Sequence, residues 1–194
     1  MDPRISQLAE AIPHAVEQSL LDVIRHIGDE NLYAFALFTN DALDSLYPIA
    51  NTIEQLELTV KHYNEFVDPK FDGSRSSKNG MLWSYGDWKI DGIGKERFND
   101  ANHILRELTD EKIDIYFNNP DDPRYDKIMD NLWEVVETSF ANCRKNEILE
   151  SQNIDNVTFL IVGDLLDEEN ENCSVERLNP DPIVQAYLNW QCDG

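Results

Sequence analysis

The chain opens with Ile5, Leu8, Ile12, Val16, Leu20, Ile24 and Ile27 at steps of three and four, which puts an apolar stripe along one helix face. Pro13 falls inside that stripe and is expected to kink the helix or to open a second one. Gly28 is placed to stop it. The period then changes. In "NLYAFALFTND", residues 31–41, Leu32, Ala34, Ala36 and Phe38 would share one strand face, with Tyr33, Phe35 and Leu37 on the other. A strand apolar on both faces belongs inside a sheet. "LYPIANT" reads as a second strand, and because Pro48 has no N–H it is expected at an edge or a bulge. Thr52 and Gln55 have capping-box spacing, ahead of an inner stripe of Leu56, Val60, Tyr63 and Val67.

Residues 68–80, "DPKFDGSRSSKNG", are rich in Gly, Ser and charge and are expected to form a mobile loop. "MLWSYGDWKI" then reads as extended chain, with Trp83 and Tyr85 on one face and Trp88 on the other unless Gly86 makes a bulge. A helix is predicted over about 95–109, and "IDIYFNN" is either a short strand or its continuation. The clearest helix follows. Asp122 stands at its N-cap, Pro123 at its first position, and Tyr125, Ile128, Leu132, Val135, Val136, Ser139 and Cys143 along its inner face. "NVTFLIVGD" is another strand apolar on both sides, residues 164–176 read as an acidic loop, and Asp181–Pro182 begins a last helix. The pattern predicts one α+β domain over 1–194, with an N-terminal helical segment at 1–28. Its central sheet of about four to five strands, antiparallel or mixed, would be packed by several helices.

Charge changes this picture. Sixteen Lys and Arg against 38 Asp and Glu give −22, and between Lys145 and Arg177 there are nine acids and no base. A field of that sign repels nucleic acid and anionic membrane and steers a basic partner inward. Solubility is the plainer use of the same charge. No run approaches the ~18 apolar residues of a membrane span, and the N-terminus has no unbroken apolar stretch, so a cytoplasmic protein is expected. Cys143, Cys173 and Cys192 lack metal spacing and read as reduced thiols.

Two stretches are candidates for recognition. Trp83, Tyr85 and Trp88 are either core packing, the favoured use, or an interaction anchor. Asp164, Asp167, Glu168, Glu169 and Glu171 could pair with the lysines and arginines of a basic protein, or simply be solvated. They lack the spacing of a calcium loop. None of the four histidines has a metal-ligand partner, and His103 with Glu107 reads as a surface pair. No phosphate-binding loop or nucleophile motif occurs, so no cofactor is called for and catalysis is disfavoured without being excluded.

"LYAFALFTNDALDSLYPIANTIEQL", "WSYGDWKIDG" and "VTFLIVGD" with "SVERLNP" lie in this order over about residues 31–180. Together they resemble a bacterial family catalogued as domain of unknown function 4303. The resemblance implies an α+β protein and names no catalytic residue. Families of this kind often resemble immunity proteins, which bind and silence a toxin. The leading expectation is therefore an acidic inhibitor of a basic toxin or effector domain. A small molecule or substrate held beside the Trp-rich stretch is the alternative. A DNA mimic is a further one, opposed by the chain's substantial apolar content.

Overall fold

The computed structural model describes residues 2–40, 42–70, 81–119, 122–144, 154–163 and 168–192. Its helices are α1 (Pro3–Ile27), α2 (Ile53–Phe66), α3 (Asn99–Asn118), α4 (Pro123–Cys143), α5 (Glu168–Leu178) and α6 (Asp181–Cys192). Its strands are β1 (Leu32–Thr39), β2 (Leu46–Thr52), β3 (Ile90–Asp91) and β4 (Thr158–Gly163). The sheet runs β3-β2-β1-β4. β2 is antiparallel to both β1 and β3, whereas β4 is parallel to β1, so the α+β fold carries a mixed sheet.

Helices cover both faces of the sheet. Phe35, Leu37, Phe159 and Ile161 meet α1, α3 and α4 on one side. Ala34, Ala36, Leu160 and Val162 meet α2, α6 and the 81–88 segment on the other. β1 enters with an irregularity between Leu32 and Ala34. That slip moves Tyr33 onto the side of Ala34 and sends Leu32 to the side of Phe35, against strict alternation. Pro13 sits inside an unbroken α1. Gly28 ends α1 at φ 61, a conformation glycine adopts at little cost.

Both edges of the sheet are closed by asparagine side chains. Asn102 accepts from the Leu46 N–H at 2.8 Å and donates to its C=O at 2.9 Å. Asn179 does the same to Phe159, at 2.7 Å each way. Pro48 lies one pair further along β2, where its C=O takes the Gly92 N–H at 2.9 Å. A strand residue points N–H and C=O to the same side, so the N–H that proline lacks would have faced the side where β3 has only two residues. β2 is thus second in the sheet yet almost an edge.

Two other expectations are corrected and one open alternative is settled. "MLWSYGDWKI" is not extended: Tyr85–Asp87 form a 3-10 turn and only Ile90–Asp91 pair as strand. Ser84 and Tyr63 donate to the Asp87 carboxylate at 3.0 and 2.8 Å, which bends the chain there. The acidic segment is not all loop, because α5 begins at Glu168 and docks Val175 and Leu178 into the two cores. The helix expected over 95–109 starts as a 3-10 turn at Lys95–Phe98, and "IDIYFNN" continues it to Asn118.

Candidate functional site

Trp83 and Trp88 are 2% and 7% exposed. Both meet Tyr33 edge-on, at 6.4 and 6.2 Å between ring centres. Tyr33 donates to the Leu82 carbonyl at 2.9 Å and accepts from Asn51 at 3.0 Å. Tyr85 is half-buried and reaches the Gly163 carbonyl at 3.2 Å. The three aromatics therefore tie the 81–88 segment to β1 and β4, and the two indoles present almost no surface. Beside them a cleft of about 660 Å³ lies between α2 and Leu82, floored by Ile53, Leu56 and Val60 and rimmed by Glu57, Lys61 and Glu65. The tryptophans are not among its walls.

Of the acids singled out by sequence, Asp164 and Asp167 lie outside the described residues. Glu168 and Glu169 begin α5, and their side chains are likewise outside the description. Glu171 turns inward and accepts from the Tyr187 hydroxyl. Burial, with the Glu171 charge beside it, raises that phenol far above its ordinary range.

A more coherent anionic surface lies on α4. Asp122 caps the helix by accepting from the Arg124 N–H at 3.0 Å. The Arg124 side chain, bonded to the same carboxylate, holds Asp122 at about 2. Beyond the cap, Asp126, Asp130 and Glu134 recur every four residues on the exposed edge. None of the three has an ion-pair partner among the described residues. Like charges at this spacing repel by a few tenths of a kcal/mol per pair.

Two grooves flank this edge. The cleft toward α5, about 800 Å³, is lined by Met129, Asp130, Trp133, Glu134, Glu137 and Arg177 among others. Glu137, 6% exposed, accepts from Ser174 Oγ at 2.5 Å and from the Arg177 guanidinium. The cleft thus already holds one guanidinium of the chain's own. Toward α1 and α3 a larger groove of about 920 Å³ has an apolar floor. Glu134 and Thr138 border both.

Sequence reasoning looked to the aromatics and the later acids, and missed this edge. The signal was present as three acids at steps of four opposite the predicted inner face. Elsewhere the chemistry is quiet. Among the described residues no cluster of three or more His, Cys, Asp or Glu side chains could hold a metal, and no helix is long and apolar enough to cross a membrane. Burial pushes the Cys143 thiol up to about 12, which removes it as a nucleophile. His103 and Glu107 form a surface pair at 3.4 Å.

These features define a helix-rich α+β protein whose most distinctive surface is anionic. The family model described as domain of unknown function (DUF4303) matches residues 8–180, and the chain belongs to that family. No curated protein and no solved structure matches it.

Proposed function

We propose that this chain is a binding protein of the bacterial cytoplasm that captures a basic protein partner, in the manner of an immunity protein silencing a toxin or effector domain. The observation that supports it is the α4 edge. Asp126, Asp130 and Glu134 repel one another and have no ion-pair partner among the described residues, and Asp130 and Glu134 border a cleft containing Trp133 and Met129. A cationic partner surface removes the repulsion, and the arginine or lysine it brings can lie against the indole face. The net charge of −22 adds long-range steering. The acids of the 164–171 segment add to that field. The buried Trp83 and Trp88 act by holding the fold.

The test is capture at physiological salt with wild type and with the triple variant Asp126→Lys, Asp130→Lys, Glu134→Lys. A stoichiometric basic protein held by wild type and lost from the variant supports the reading. Equal capture by both overturns the α4 assignment. The 660 Å³ cleft beside Leu82 favours a second reading, a small-molecule binder. A small molecule that co-purifies in stoichiometric amount and is lost on Val60→Trp would establish it.

A further inference from the structure

The larger groove flanking α4 says what form the partner takes. Its floor is Leu108 and Leu132, with Ile5, Ile128 and Val135 half-buried around them. Small side chains at Ser6, Ala9 and Thr138 keep it open. At one end Arg4 bridges Asp2 and Glu111, at 2.5 and 2.7 Å, which raises the guanidinium pKa and joins α1 to α3 across the groove. Along the other side stands Glu134, without an ion-pair partner among the described residues, and Lys127 is the one base in the groove's described walls.

We infer that this groove receives an amphipathic basic helix of the partner, its apolar face on Leu132, Ile128 and Val135 and a lysine or arginine over Glu134. The inference rests on the proposed function and adds the partner's local shape. A groove walled by helices offers no free backbone groups for a strand to pair with, so recognition must come from side chains. Anchors at steps of three, four and seven supply that. A helix lying there also places its polar flank against Glu134 at the boundary with the α4–α5 cleft, because Glu134 belongs to both. A second copy of this chain would bring another −22 to the same edge, which opposes self-association.

The test titrates the full chain, at physiological salt, with two Leu/Lys peptides of identical composition. Each is about 18 residues, long enough to be helical, one in amphipathic order and one scrambled. The ordered peptide is expected to bind about tenfold more tightly, a difference of roughly 1.4 kcal/mol. It should shift the amide resonances of Ile5, Ile128 and Val135. Ala9→Trp, and independently Ser6→Trp, fill the groove from exposed positions and should erase that preference while leaving the scrambled peptide's affinity unchanged. Glu134→Lys should weaken both peptides. Equal binding of the two peptides, with Glu134→Lys still weakening both, overturns the groove and leaves the anionic reading standing. No binding of either peptide, or binding indifferent to Glu134→Lys, overturns both. A concentration-dependent dimer dissolved by Ala9→Trp makes a second copy the occupant and overturns the inference.

Discussion

Asn102 and Asn179 perform the same task at opposite edges of one sheet: each gives its side-chain amide to both the N–H and the C=O of a buried strand residue, Leu46 and Phe159 respectively. An amide presents a donor and an acceptor side by side, as a neighbouring strand would. Arg144 reinforces the Phe159 side. It stacks 4.2 Å from that ring and donates to the Asn179 side-chain Oδ1 at 2.9 Å and to the Leu178 and Val157 backbone carbonyls. Burial lowers its pKa to about 10. Asn179→Ala strips the partners from two buried backbone groups at once. It should cost about 2–4 kcal/mol, read from urea midpoints. Asn179→Asp keeps the acceptor and loses the donor, and should fall between.

Gly163 and Gly86 should respond oppositely to a methyl group. A Cβ on Gly163 would stand 2.5 Å from the Thr39 carbonyl oxygen, backbone that the β1–β4 pairing holds in place. Gly163→Ala is expected to lower stability by about 2 kcal/mol or more in thermal unfolding. Gly86 has nothing within 4 Å of such a Cβ, so Gly86→Ala should stay within about 0.5 kcal/mol of wild type. If Gly86→Ala nevertheless weakens partner capture, the turn is a contact after all.

Lys112 makes stability depend on alkaline pH. Its ammonium is buried in α3, donates to the Ala42 carbonyl at 2.5 Å and touches Met129 Sδ. Burial lowers its pKa to about 8, with Asp44 opposing the shift. The unfolded lysine titrates near 10.4, so the folded state gives up the proton first. Keeping the charge therefore costs stability at pH 7, and the cost fades as pH rises through 8 toward 10.4. Relative to Lys112→Met, wild type should gain on the order of 2 kcal/mol between pH 7 and 9.5. Parallel urea curves at the two pH values would show it, and equal gains in both proteins would refute it.

Relieving the α4 edge should stabilise the isolated protein. Asp130→Asn removes the central charge of the three, and a gain of a few tenths of a kcal/mol is expected at low salt, vanishing in high salt. Partner association should slow in the same variant. Stability gained and binding lost together would mark the repulsion as functional.

Periodicity alone located most of the architecture. The stripes of α1, α4 and of α2 as far as Tyr63 are written locally, as are the doubly apolar β1 and β4 and the Asp122–Pro123 start of α4. Val67, expected on the α2 stripe, instead follows the helix end and is exposed. What escaped was decided by distant partners. The Trp-rich segment bends because Asp87 is bonded by Tyr63 from α2. α5 persists through its acids because Val175 and Leu178 find the cores. The faces of Tyr33 and Leu32 depend on one bulge against β2. The α4 acids were visible as letters, but their bordering grooves exist only once α1, α3 and α5 are in place.

The parallel pairing of β1 with β4 also sets an order in time. Phe35 must wait for Phe159, far along the chain, before the second side of β1 is paired. At roughly 5–20 residues per second, a ribosome leaves that doubly apolar strand half-paired for on the order of ten seconds. During that interval β2 is its one available neighbour and the α1 stripe the first cover for its face. Nascent chains stalled before residue 158 should therefore be the ones that recruit chaperones, and release past Asn179 should end the dependence.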